Sequence, residues 1–154
     1  MNLLTIFLPF IAVTLGGYFF PIKKNSHRPV FQPPNWVFGV IWTYITLSFG
    51  IITNLFLSTI KSKADCLKIV GFYLLIIFCL VYWLYLNSKS YRKKSFYLLV
   101  LTTYISIVYL IYLRGIGEYF PSTNLGVSVW FLLPLPFWLV LASCLNGVTY
   151  DQDR

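Results

Sequence analysis

From Trp36 to Ser58 the chain carries no charged side chain, and this run begins directly after Pro33-Pro34-Asn35. A single helix of that length crosses the roughly 30 Å hydrocarbon core of a bilayer, because each residue adds about 1.5 Å. The prolines fix where such a helix can begin. A proline costs little in the first turn, whose N–H groups lack intrahelical acceptors, but about 3 kcal/mol in a helix interior. The helix is therefore expected to open near Pro34 or Asn35, with Trp36 at its entrance.

Four further stretches are equally free of charge, about 3–20, 69–88, 95–113 and 125–150. The composition agrees: 58% of residues are hydrophobic, 20% aromatic and 10% charged, with a mean hydropathy of +0.76, against about 25% charged residues in soluble domains. The fold class predicted is all-α, an integral membrane bundle of five transmembrane helices over about 3–20, 35–58, 68–88, 95–113 and 126–149. Short linkers make neighbouring helices antiparallel, so 1–154 reads as a single five-helix transmembrane domain. The first stretch lacks a preceding basic residue and a clear small-residue cleavage site, and it is read as a helix rather than a secretory signal.

Five spans put the termini on opposite sides, and Lys and Arg decide the orientation. Lys61, Lys63, Lys68 and Arg114 fall on one side, whereas Lys23, Lys24, Arg28, Lys89, Arg92, Lys93, Lys94 and Arg154 fall on the other. The richer side is expected to be cytoplasmic, which sets the N-terminus outside and the C-terminus in the cytosol. The membrane itself reads as a bacterial inner membrane or an organelle membrane. The net charge of +8 would point to nucleic acid in a soluble protein. Here the cations lie in interhelical loops, where they set topology and meet anionic lipid headgroups, so membrane lipid is the expected partner and nucleic acid is not. The densest run, Lys89 to Lys94, reads as a solvated loop, or as a holder for a phospholipid or an acidic tetrapyrrole side chain.

Catalytic chemistry has few candidates. Cys66, Cys79 and Cys144 are too scattered for a disulfide framework or a zinc site, and His27 is the one histidine. Asp65, Glu118, Asp151 and Asp153 all lie outside the expected membrane cores, which argues against a proton relay or an ion-coupled transporter. No phosphate-binding glycine loop, Ser/His/Asp set or carboxylate pair is present, so no catalytic residue, metal ligand or required cofactor is expected.

The aromatic residues remain. Trp36, Tyr91, Tyr119 and Tyr150 suit interfacial belts. Trp42 lies about two turns inside its helix and shares a face with Asn35, Phe38, Gly39, Thr46 and Phe49, a mixture of small and polar residues that marks a helix-facing stripe. Trp138 follows Pro134 and Pro136, which are expected to kink or locally unwind the last helix, and Leu141, Ala142, Leu145 and Asn146 continue its side. Two indoles pointing into the bundle suit either plain core packing or a pocket for a flat aromatic or sterol-like ligand. Gly16-Gly17 and other small residues would serve packing within one subunit or in a homodimer.

At these positions the sequence resembles the TspO/MBR family, the tryptophan-rich sensory proteins that include the mitochondrial translocator protein, or peripheral benzodiazepine receptor. The resemblance covers nearly the whole chain. The family's second-helix pattern, K-P followed by PPxWxF and a WxxxY-like stretch, is met by Arg28-Pro29, by Pro33-Pro34-Asn35-Trp36-Val37-Phe38 and by Ile41-Trp42. Its last-helix pattern, LLxPYxxWxxFAxxLN, is met by Leu132-Leu133-Pro134-Leu135, Trp138, Leu141-Ala142 and Leu145-Asn146.

The resemblance implies five helices, frequent dimerisation, and a pocket opening towards the first loop that takes porphyrins and, in animals, cholesterol and synthetic drugs. It implies ligand-binding roles for Pro33, Pro34, Trp36, Phe38, Trp42, Pro134, Trp138, Ala142 and Asn146. The function it implies is a receptor or carrier for a tetrapyrrole or similar planar hydrophobic molecule, in tetrapyrrole handling or stress signalling. The alternatives are light-dependent porphyrin degradation and a structural protein with a closed pocket. This chain departs from the family pattern at Arg28, Leu135 and Leu141, lacks a Trp-Tyr pair in the first loop, has apolar or aromatic residues at 78–83 where Asn and Trp-Ser are expected, and has no carboxylate between Ser95 and Leu113. A loose cholesterol-contact pattern is met by the tail at Val148, Tyr150 and Arg154, and again by Leu86, Tyr91 and Lys93.

Overall fold

A computed structural model of the chain describes residues 2–21, 34–120 and 124–151, with 35 and 146–151 described as backbone only. The described residues form α1 (Leu3–Phe19), α2 (Asn35–Thr59), α3 (Lys63–Ser88), α4 (Arg92–Glu118) and a last segment in three pieces: α5 (Leu125–Ser128), a 3-10 turn at Val129–Leu132, and α6 (Pro134–Asp151). The expectations for Lys23 to Arg28, for Pro33 and for Arg154 lie outside the described residues.

Each start has a local cause. The Asn2 side chain accepts the Leu4 N–H at 3.1 Å and caps α1, and Ser62 caps α3 by accepting from Asp65 N–H. That cap carries α3 back to Lys63, ahead of the residue 68 expected from charge. Pro34, extended at ψ 148, precedes α2, so the helix begins where the proline doublet predicts. Between α3 and α4 the chain turns through Ser90 at φ 60, and the Tyr91 N–H closes the turn onto the Leu86 carbonyl at 3.0 Å.

Four helical segments are long and apolar enough to cross a membrane: Trp36–Thr59, Lys63–Ser88, Arg92–Glu118 and Leu125–Leu145. The expected fifth, α1, is apolar but has 17 residues, about 25 Å of helix against roughly 30 Å of hydrocarbon. The fold is thus an all-α bundle with four helices of clear spanning length and one shorter apolar helix. α1 lies against α2 and α3, α3 against α4, and α4 against α6, while the 3-10 turn brings the last segment back to α2.

The approach of α2 to α1 requires a glycine. A Cβ at Gly50 would collide with the Ile6 carbonyl of α1, so only glycine lets these backbones meet. The same pair is tied at its end by the Asn2 N–H, which donates to Asn54 Oδ1 at 3.0 Å. Gly16 packs inside the subunit, where an added Cβ would stand 3.0 Å from Leu84, whereas Gly17 faces open space.

The last segment changes to 3-10 geometry at Val129–Leu132, just ahead of the two prolines. Pro134 and Pro136 do not interrupt a continuous helix; they occupy the first turn of α6, where missing N–H groups are tolerated. The break falls just before them, and the Leu133 N–H reaches back to the Trp130 carbonyl at 3.1 Å in a 3-10 bond.

Candidate functional site

Phe38 and Trp42 stand one turn apart on α2, four residues being the spacing that aligns side chains on one helix face. They reach different neighbours. Phe38 meets Trp138 of α6 edge-on, with ring centroids 5.0 Å apart and planes at 67°. Trp42 stacks on Trp83 of α3, with centroids 6.1 Å apart and planes at 28°. The two ring pairs, Trp138–Phe38 and Trp42–Trp83, start one turn apart on α2 and together make an aromatic wall that links three helices.

Trp83 and Trp138 are buried, at 9% and 7% exposure, and each indole N–H lacks a hydrogen-bond partner. That is costly, because a buried donor without an acceptor forfeits about 1–3 kcal/mol. The nearby hydroxyls are already engaged. Thr46 donates to the Trp42 carbonyl at 2.7 Å and Ser143 to the Leu139 carbonyl at 2.7 Å. Around Trp138, its own helix supplies Leu135, Leu139 and Ala142, all buried in the same core cluster.

Deeper in the bundle lies a second aromatic cluster. Phe49 lies seven residues beyond Trp42, about 10 Å along α2, and its ring meets Tyr73 at 5.1 Å and Tyr109 at 5.8 Å. Tyr109 and Thr53 share a buried hydrogen bond of 2.9 Å, and the Tyr73 hydroxyl donates to the Thr5 carbonyl of α1. These residues make a polar-stitched aromatic floor, with the wall between it and the N-terminal end of α2.

The residues singled out in the sequence separate accordingly. Phe38 meets Trp138, with the buried Ala142 one turn further along α6, whereas Trp42 meets Trp83. Pro134 is half-buried at the start of α6, one turn before Trp138. Pro34 is exposed at the α2 boundary, and Trp36 is 71% exposed. The Asn146 side chain lies outside the description. Trp42 and Trp138 are not stacked on each other; their partners are Trp83 and Phe38.

Trp83 is the member that sequence reasoning missed. Its signal was present, since Ile69, Tyr73, Ile76, Leu80 and Trp83 recur at four- and three-residue steps and are all buried. On a helix apolar all round, such a stripe does not stand out from its lipid-facing neighbours. Among the described residues, no group of three or more His, Cys, Asp or Glu side chains converges as a metal site would require.

Comparison with known proteins matches the TspO/MBR family over residues 5–150. No individually curated protein matches the chain. With four clear spans in an all-α bundle and a family match over nearly its whole length, the chain is a multi-pass integral membrane protein and belongs to the TspO/MBR family.

Proposed function

We propose that this protein is a membrane receptor or carrier that holds a tetrapyrrole, or a similarly planar hydrophobic molecule, against the aromatic wall. The observation that carries the reading is the pair of buried, unpartnered indole N–H groups of Trp83 and Trp138 in that wall. A flat ligand stacks on aromatic faces, and its own acceptors would satisfy donors that the protein leaves unpaired. Family membership supports the same class of ligand. Titrating detergent-purified protein with protoporphyrin while following tryptophan fluorescence tests the reading: saturable quenching weakened by Trp42→Phe and Trp138→Phe supports it, and quenching indifferent to both variants defeats it.

The reading includes α1 as a fifth span, the N-terminus outside, and Pro34 facing the cytoplasm of a bacterial or organellar membrane. Membrane-impermeant labelling of single cysteines introduced at Lys61 and Lys89 tests that orientation, with the Lys89 site expected on the cytoplasmic side. A homodimer belongs to the same reading, and the mass of the protein–detergent complex tests it.

A further inference from the structure

α4 turns one face away from the bundle, and that face repeats. Tyr97, Val100, Tyr104, Ile107 and Ile111 are exposed and follow one another at steps of three and four residues, whereas Leu99, Thr102, Ser106, Tyr109 and Leu113 of the same helix are buried. A sustained three-four spacing keeps side chains on one seam, the pattern along which two parallel helices interlock. Tyr97, Tyr104 and Ile111 take the same place in successive seven-residue repeats, with Val100 and Ile107 between them.

Tyr104 sets this seam apart from plain lipid-facing surface. It is 66% exposed, twelve residues after the start of α4 at Arg92 and fourteen before its end at Glu118. A helix of that length measures about 40 Å, so a hydrocarbon layer of roughly 30 Å centred on it leaves Tyr104 about 13 Å inside the nearer boundary. Its phenol cannot reach the headgroups from there. No described residue pairs with the hydroxyl, and a hydroxyl held in hydrocarbon without a partner is costly. The exposed tyrosines of the neighbouring helices sit nearer an end: Tyr44 is nine residues from Asn35 and Tyr82 six from Ser88.

Copies of one membrane protein are inserted in the same direction, so a twofold axis between two of them runs along the membrane normal. Two α4 helices related by that axis are parallel and carry equal residues at equal depth. Tyr104 then meets the partner's Tyr104, and because a phenol both donates and accepts, one hydroxyl can donate to the other.

We infer that the Tyr97–Ile111 face of α4 is the surface on which a second copy of this chain docks, with Tyr104 as the polar pair that fixes its register. A single polar residue in an otherwise apolar seam sets register in just this way. The inference rests on the homodimer of the reading above and adds the face and the residue that aligns it.

Single cysteines test the face, placed in full-length protein whose Cys66, Cys79 and Cys144 are replaced by serine and oxidised after reconstitution into liposomes. Tyr104→Cys and Ile111→Cys are expected to form disulfide-linked dimers, whereas Phe78→Cys on α3 and Ile51→Cys on α2, both exposed, are not. Tyr104→Phe, with the native cysteines kept, should weaken dimerisation roughly threefold to tenfold in an energy-transfer titration. Tyr44→Phe should leave it unchanged, and protoporphyrin quenching should be the same in both variants. Crosslinking at residue 78 or 51 in place of 104 and 111, or dimerisation indifferent to Tyr104→Phe, overturns the inference and leaves the homodimer standing. A monomeric mass at every concentration, with no crosslink at any position, removes the homodimer and the inference together.

Discussion

Trp42 of α2 and Trp83 of α3 lie stacked, with centroids 6.1 Å apart and planes at 28°, and this contact joins two helices whose backbones otherwise approach each other little. The pair does what small residues do elsewhere in the bundle, but with flat surface instead of close backbone packing. An aromatic pair of this kind contributes about 0.5–1.5 kcal/mol beyond area burial. Trp42→Ala should therefore lower the thermal midpoint in detergent and weaken porphyrin quenching together, whereas Trp36→Ala, at an exposed boundary position, should change neither by more than a small margin.

The floor beneath the wall depends on the hydrogen bond between Thr53 and Tyr109. Thr53→Val keeps the shape and strands the Tyr109 hydroxyl, at a cost of about 1–3 kcal/mol. Tyr109→Phe in the same background removes the stranded group and should recover part of the loss, as thermal unfolding of the single and double variants would show.

At Gly50 an added methyl group would collide with the backbone of α1 at Ile6. Gly50→Ala should cost at least the 1–3 kcal/mol typical of overpacking and loosen α1 from α2. Gly71→Ala, on α3 with open space around it, should be neutral or stabilising by up to about 1 kcal/mol. Comparing their thermal midpoints isolates the effect of close approach from that of helix propensity.

Pro134 occupies the first turn of α6 rather than a helix interior. Pro134→Ala should accordingly change stability by less than about 1 kcal/mol, not the roughly 3 kcal/mol tied to an interior proline. A large stabilisation accompanied by added helical circular dichroism would mean that the proline forces the 3-10 break at Val129–Leu132.

The helices were legible because a bilayer demands long charge-free runs, and Trp36–Ser58 or Ser95–Leu113 could be little else. Their ends were less legible. α4 continues through Arg92–Lys94 and Arg114–Glu118, because long basic side chains can remain helical while their charges sit at the interface. For α1 the charge-free run of about 3–20 is near spanning length, whereas the helix itself has 17 residues because it ends at Phe19. Within the candidate site, Phe38, Trp42 and Trp138 could be found because Pro34 and Pro134 fix the registers of their helices. Trp83 could not, because α3 is apolar on every face and periodicity there does not separate core from lipid. Nor could the sequence show that two residues one turn apart on α2 address different helices; that depends on the positions of α3 and α6 on either side of them.

The central claim is that a planar ligand lies against the wall of Phe38, Trp42, Trp83 and Trp138. The most direct measurement is a protoporphyrin titration of the wild type and of single Trp→Phe variants at 36, 42, 83, 130 and 138, followed by tryptophan fluorescence. Saturation is expected at one ligand per chain, with affinity reduced by the changes at 42, 83 and 138 and retained by those at 36 and 130. Quenching that does not saturate, or whose affinity falls only with the exposed Trp36 and Trp130, would contradict it.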